Sequence, residues 1–211
     1  MKQNILKSVA VIVAHPDDEV LWVGGTVLMN PLWQCFILCL CRKYDTDRAP
    51  KFYKVLKILN ATGVIGNLDD EPEQKPLNSE QVDNAIMTLL TPKHFNLIIT
   101  HNPKGEYTRH IRHEEIGKSV LRLWQQNKIT ADELWLFAYE DEHKSCYPKP
   151  MKDATYCETL NETIWLKKYK LITETYGFDK DSWEAKTTPK REAFIKFSCR
   201  VALAKWLLKY K

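Results

Sequence analysis

Ala14-His15-Pro16-Asp17-Asp18-Glu19 places one imidazole and a run of carboxylates at the mouth of an apparent buried strand. Ser8 to Ala14 is a short, apolar, β-branched run, and Asp17 to Met29 reads as a helix whose first turn opens with Pro and acids. On that reading His15 and Asp18 lie about one turn apart, close enough to hold one metal ion from the same side. Asp17 then sits beside the metal without having to bind it. The same acids would also serve a plain helix start, as a cap and as partners of the helix dipole, so the chemical reading needs a second segment. Glu19 either orients a ligand or is an exposed first-turn carboxylate.

The second segment is His101-Asn102-Pro103-Lys104-Gly105-Glu106-Tyr107-Thr108-Arg109-His110-Ile111-Arg112-His113. It follows an apolar strand, turns at Asn102-Pro103 and Gly105, and runs into a helix starting near His113. Two histidines three apart at a helix entry can face one site, and one of them can supply a third metal ligand. His101, at the end of its strand, is a reserve ligand. His94 and His143 carry no such context.

These segments have to be positioned by a fold. Strand-like runs recur at Ser8–Ala14, Trp33–Cys41, Phe95–Thr100 and Glu133–Ala138, separated by helix-like runs near Arg48–Ala61, Ser79–Leu90 and His113–Gln126. Such alternation implies crossover connections, a mostly parallel sheet, and function at the carboxyl ends of the strands, where His15 and His101 both fall. From Glu162 onward the chain reads as helical, with Thr187-Thr188-Pro189 starting a long terminal helix that ends near Lys209. Asn67–Asn78 and Glu140–Lys152 read as long surface loops. With 211 residues, 44% of them hydrophobic, the chain suits one domain with a sizeable core. The fold class is α/β: a single three-layer, Rossmann-like domain over residues 1–211 with a mostly parallel sheet and a helical C-terminal segment.

Several function classes fall away. The turn after the first strand lacks G-x-G-x-x-G, and Gly24-Gly25 lies inside the expected helix, where it favours close packing. Neither a phosphate-binding G-x-x-x-x-G-K-[ST] nor a nucleophilic G-x-S-x-G occurs. Lys plus Arg exceeds Asp plus Glu by only 31 to 27, without a basic block, so neither nucleic acid nor membrane is an expected partner. The apolar run behind Lys2 and Lys7 stops at His15, too short for a signal peptide or a span, which points to the cytoplasm. Cys35, Cys39 and Cys41 alternate along one strand face as buried thiols, and no CxxC pair suggests a zinc knuckle.

The pairing of Ala14-His15-Pro16-Asp17-Asp18-Glu19 with a later H-x-x-H, His110 to His113, resembles the LmbE-like, or PIG-L, zinc-dependent N-acetylglucosaminyl deacetylases. Gly105-Glu106-Tyr107-Thr108-Arg109-His110 and Tyr176-Gly177-Phe178 look like features of a bacterial subgroup. Many members have Pro and Asp inside the second motif where this chain has Ile111 and Arg112, and Tyr107 stands one residue further from His110 than is common. The ligand spacing is unaffected. The resemblance implies that His15, Asp18 and His113 bind zinc, with iron(II) as an alternative, that Asp17 is the general base, and that a protonated His110 faces the oxyanion. It further implies that Arg48 reaches sugar or phosphate oxygens, that Asp70 accepts sugar hydroxyls, and that Tyr107 closes over the acyl pocket.

A ligand set of two histidines and one aspartate leaves a position for water, and a carboxylate outside that set can take the water's proton. The expected activity is removal of an acetyl group from an N-acetylglucosamine-type amino sugar, releasing acetate and an amine. A hydrolase of another small amide or acyl group, or an inactive sugar-binding protein on the same fold, would share these residues. The partner is thus a small-molecule amino sugar, and a homo-oligomer stays open.

Overall fold

In the computed structural model, residues 6–91, 94–107 and 110–209 are described. Among the described residues nine strands run in chain order: β1 (Lys7–Val13), β2 (Trp33–Cys41), β3 (Thr62–Leu68), β4 (His94–Thr100), β5 (Thr130–Phe137), β6 (Tyr139–Glu140), β7 (Lys149–Pro150), β8 (Tyr156–Thr159) and β9 (Arg191–Phe197). The helices are α1 (Asp18–Leu21), α2 (Gly24–Met29), α3 (Arg48–Ile58), α4 (Ser79–Leu89), α5 (Ile111–Gln125), α6 (Glu162–Lys170), α7 (Trp183–Thr187) and α8 (Arg200–Leu208), with a π-helical turn at Leu171–Thr175. Seven strands form one sheet in the order β3-β2-β1-β4-β5-β9-β8. Strands β1 to β5 are mutually parallel, and β9 runs antiparallel to both β5 and β8.

Strand β1 lies at the centre because its sequence can bury both faces. Every residue from Val9 to Ala14 is fully inaccessible to solvent, as a β-branched run in a parallel sheet demands. The chain leaves β1 toward β2 and β3 on one side and returns through β4 and β5 on the other. The carboxyl ends of β1 and β4 therefore flank the point where strand order reverses, the usual place for a crevice in such sheets. His15 and His101 follow those two ends.

Two sequence expectations differ from the structure. The helix expected over Asp17–Met29 is broken into α1 and α2, with Val23 non-helical between them. Gly25 sits in the first turn of α2, where a Cβ would lie 2.3 Å from Leu160 Cδ1, and the bare backbone instead lets Gly25 N–H and Thr26 N–H donate to Glu192 at 2.8 and 2.6 Å. The long terminal helix from Thr187 also does not form. Arg191–Phe197 alternates with aromatic and β-branched residues and pairs with β5 and β8, and only Arg200–Leu208 is helical at this end. Lys168, fully buried, lies 2.7 Å from Glu192 and makes that acid tolerable inside the sheet. The three strand cysteines are buried free thiols, as their alternation implies.

Candidate metal and catalytic site

His15 reaches the crevice because β1 ends one residue before Ala14. Ala14 N–H donates to His101 Nε2 at 3.0 Å, and Ala14 O accepts from Cys41 N–H at 2.9 Å, so the chain is fixed from both neighbouring strands as it leaves the sheet. Asp17 then adopts φ 124° and ψ −31°, a conformation that side chains other than glycine rarely take. Fully buried Glu19 holds it: Glu19 Oε2 accepts Asp17 N–H at 3.0 Å, and Glu19 Oε1 accepts the Tyr176 hydroxyl at 2.5 Å. Burial pushes the Glu19 carboxyl up to about 8, against these two hydrogen bonds. Of the two readings of Glu19, the exposed carboxylate is excluded.

His113 comes from the first turn of α5. Gly117, one turn on, lets that helix lie against the chain after β4, since a Cβ there would fall 2.7 Å from His101 O. The result is a tight triangle of donor atoms. His15 Nδ1 lies 3.2 Å from Asp18 Oδ2, Asp18 Oδ2 lies 3.3 Å from His113 Nε2, and His113 Nε2 lies 3.3 Å from His15 Nδ1. Tetrahedral coordination with bonds of about 2.0–2.1 Å separates its ligand atoms by about 3.3–3.4 Å. The triangle matches that spacing, and its two-nitrogen, one-oxygen donor set suits a divalent ion such as zinc. Burial alone would raise the Asp18 carboxyl, but His113, His101 and His15 hold it well below the usual range. It is ready to bind a cation.

A carboxylate backs each of the two triangle histidines. Glu106 Oε2 accepts from His113 Nδ1 at 2.6 Å, which leaves His113 Nε2 for the triangle. Asp70 Oδ1 stands 3.2 Å from His15 Nε2, an ion-pair distance without hydrogen-bond alignment. Asp70 is in turn gripped by Arg42, whose Nε and Nη2 reach Oδ2 at 2.8 and 2.7 Å, and by Gln74 Nε2 at 3.0 Å from Oδ1. The reserve ligand His101 lies beside the triangle, its Nε2 close enough to Asp18 and His113 to belong to a second candidate metal group with them. Its Nδ1 faces Glu106 Oε2 at 2.9 Å, and its Nε2 lies 3.0 Å from Ala14 N and 3.5 Å from Asp18 Oδ2, so it supports both the Ala14 backbone and the Asp18 carboxylate.

Asp17 lies just outside the triangle. Its Oδ2 is 2.6 Å from Arg48 Nη1, and the Arg48 guanidinium rests 4.5 Å from the centre of the Phe178 ring. Burial and the neighbouring Asp18 push the Asp17 carboxyl up to about 7, with Arg48 pulling the other way. The Tyr176-Gly177-Phe178 segment thus acts twice, through Tyr176 on Glu19 and through Phe178 on Arg48. Gly177, at φ 78°, makes the turn between them.

His110 caps α5 from an extended conformation, its ring 4.4 Å from those of both His15 and His113. Burial, then His113 and His15, push it down to about 3, and its Nδ1 is buried with no partner. The surroundings therefore favour a neutral ring, not the protonated one the resemblance implies. Tyr107 stands edge-on to His110 at 5.9 Å and is held as a phenol by burial and nearby acids. Thr108 and Arg109 of the second motif lie outside the described residues.

His15, Asp17, Asp18, Arg48, Asp70, Tyr107 and His110 line one cavity of about 260 Å³, while His113 lies buried behind it. The cavity is also lined by Arg42, Trp183 and Glu184, which sequence reasoning missed. Trp183 and Glu184 belong to a short C-terminal helix with no motif of its own, and only the Ser182 cap signals its start. Arg112 does not enter the cavity. Fully buried, it donates to Asp69 O, to Lys75 O at 2.8 Å and to Glu115 Oε2 at 2.7 Å, clamping the loop that carries Asp70 onto α5.

Comparison with known proteins places this arrangement on a known fold. No family model matches the chain. An uncharacterized protein of Acanthamoeba polyphaga mimivirus is 26% identical over 175 residues, spanning 76% of this chain and 75% of its own. Among solved structures, the N,N'-diacetylchitobiose deacetylase of Pyrococcus horikoshii is similar with a TM-score of 0.66 and 16% identity, covering 91% of this chain and 84% of its own. A deacetylase of the teicoplanin biosynthesis pathway, seen with teicoplanin, follows at a TM-score of 0.56 and 11% identity, covering 90% of this chain and 99% of its own. The chain has the fold of these deacetylases. Among the described residues no helix is long and apolar enough to cross a membrane.

Proposed function

We propose that this protein is a metal-dependent N-deacetylase of an N-acetylated amino sugar or its conjugate. The observation that carries the reading is the triangle of His15 Nδ1, Asp18 Oδ2 and His113 Nε2 at 3.2–3.3 Å, opening beside the Asp17 carboxylate. Its likeness in fold to a deacetylase of N,N'-diacetylchitobiose supports the substrate class.

His15, Asp18 and His113 would hold a divalent ion, zinc or iron(II). Such an ion, when bound, acidifies water and polarises a carbonyl. Asp17, raised to about 7 and outside the ligand set, takes the proton of the attacking water and hands it to the departing amine. Arg48 keeps that carboxylate aimed, with Phe178 beneath the guanidinium. His110, neutral, and Tyr107, a phenol, offer N–H and O–H donors to the oxyanion of the tetrahedral intermediate, each such donor commonly worth about 3 kcal/mol. The amide carbon–nitrogen bond then breaks to give acetate and a free amine.

The test combines metal analysis with turnover. Protein loaded with zinc or iron(II) is offered N-acetylglucosamine conjugates and unrelated acetamides, and acetate and amine are measured. Metal bound at one per chain, lost in His113→Ala and kept in His110→Ala, with acetate released from the sugars, supports the assignment. Turnover confined to non-sugar acetamides would replace the substrate class. Metal uptake with no release from any compound would leave a binding protein.

A further inference from the structure

Three neighbouring parallel strands each bring one donor residue to a second meeting point beside the triangle. Strands β3, β2 and β1 lie side by side; Asp70 follows the first, Cys41 ends the second and His15 follows the third. The pairing of β2 with β3 shifts register between Cys39 and Cys41, an irregularity of the kind that re-aims a side chain at a strand end. The Cys41 sulfur, a His15 ring nitrogen and an Asp70 carboxylate oxygen consequently all lie within 4.8 Å of one another. Nδ1 of His15 belongs to the triangle, and it is Nε2 that faces Asp70. We infer that Cys41 Sγ, His15 Nε2 and Asp70 form an inhibitory site for a thiophilic metal ion such as cadmium(II) or copper(I), exclusive of metal at the triangle because both sites use one imidazole. The inference rests on the deacetylase reading for the inhibition, though not for the binding.

The donors are built in and unspent. His15 Nε2 is buried without a hydrogen-bond partner, although Asp70 Oδ1 stands only 3.2 Å away, so the two face a common point without bonding to each other. Cys41 is fully inaccessible to solvent, and its Sγ makes no hydrogen bond among the described residues. Cys39 differs, its Sγ reaching Ala14 O at 3.3 Å and Cys41 O at 3.4 Å. Arg42 grips Asp70 through Oδ2, while Oδ1 meets Gln74 Nε2 at 3.0 Å and keeps a further lone pair. Sulfur is what separates this donor set from the triangle: thiolate prefers soft ions, and its bonds are longer than those to nitrogen or oxygen. With Asp70 matched by Arg42, the thiolate supplies the negative charge that the ion needs. Cys41 releases its proton to solvent as the sulfur–metal bond forms.

The shared ring makes the sites alternatives. A neutral imidazole has one lone-pair nitrogen and one N–H. With an ion on Nδ1, Nε2 carries the hydrogen; with a thiophilic ion on Nε2, Nδ1 carries it and faces Asp18 Oδ2 at 3.2 Å as a donor. Occupying the sulfur site thus removes His15 from the triangle. The way in is the catalytic cavity, which His15, Arg42, Asp70 and Gln74 line, with Cys41 buried behind them.

The experiment uses cadmium(II) as the probe, in protein whose more accessible cysteines, Cys146, Cys157 and Cys199, are replaced by Ser. One equivalent of cadmium should raise the near-ultraviolet absorption of a sulfur–cadmium bond. Cys41→Val and Cys41→Ser should each abolish it and weaken cadmium at least tenfold in a chelator competition. Added to zinc-loaded protein, cadmium should release one zinc per cadmium bound, read by elemental analysis. Inhibition of deacetylation, relative to each protein's own uninhibited rate, should require at least tenfold more cadmium in the Cys41 variants. Cadmium bound without the sulfur absorption, or an absorption that survives both variants, overturns the site, and zinc retained beside cadmium overturns the exclusion. Absence of turnover with any metal, with the absorption present and lost in the variants, would overturn the deacetylase reading and leave the sulfur site standing.

Discussion

Asp17 and Asp18 are chemically identical neighbours held to different tasks by what surrounds them. Three imidazoles depress Asp18, whereas burial beside Asp18 raises Asp17 to about 7 despite Arg48. Asp17→Asn keeps the shape and the Arg48 contact but cannot accept a proton. It should retain metal, measured by elemental analysis, while kcat falls about 10²–10⁴-fold, the usual worth of a positioned base. Loss of the metal would mean that the two roles are exchanged. The carboxylates behind the histidines make a second prediction. Because Glu106 and Asp70 face His113 and His15 from the side away from the triangle, Glu106→Gln and Asp70→Asn should each weaken zinc about 10–100-fold in a chelator competition. If Asp70 serves sugar hydroxyls instead, its variant will raise KM and leave zinc affinity alone. The first motif was legible at this scale because its ligands are close in sequence. Glu106 was not, since a lone acid in a loop acquires its meaning only when α5 brings His113 onto it.

At the scale of elements, the site depends on a loop that has little regular structure of its own. Asp70 is presented by the segment between β3 and α4, and Arg112 fixes that segment by grasping Asp69 O, Lys75 O and Glu115, whose other oxygen accepts Leu77 N–H at 2.7 Å. Removing a fully buried guanidinium leaves those acceptors unpaired, so Arg112→Gln should cost about 3–5 kcal/mol in urea unfolding and also weaken zinc. Arg112→Lys restores the charge without the planar fork, and it should recover only part of either loss. The parallel strands and their helices were readable from periodicity, because β1, β2, β4 and β5 each carry an apolar run next to helical spacing. Strand β3 escaped because Gly63 and Gly66 interrupt its apolar pattern, and both glycines are needed where a Cβ would meet Ile37 O and Leu89 Cδ1 at 2.2 and 2.8 Å. Strand β9 escaped because Glu192, its second residue, disguises a buried strand, and the partner that permits it, Lys168, lies 24 residues earlier.

For the whole molecule, that pair joins the C-terminal third to the first motif. Glu192 receives Lys168 Nζ at 2.7 Å together with Gly25 and Thr26 N–H, the first turn of the helix that follows α1. The C-terminal strands extend the sheet, the π-helical turn leads to Tyr176 on Glu19, and α7 supplies Trp183 to the cavity. A late segment of the chain thereby supports residues near its start. Glu192→Gln can still accept one backbone N–H, but it strands a buried ammonium, and the loss should be about 3–5 kcal/mol. Lys168→Met together with Glu192→Gln removes the unpaired charge and should recover most of that loss, because a well-packed apolar replacement for a buried pair is often neutral. The coupling measured by the double-mutant cycle separates this from simple cavity formation. Additive effects would show that the pair contributes nothing as a pair, and that packing alone holds the C-terminal strands against α2.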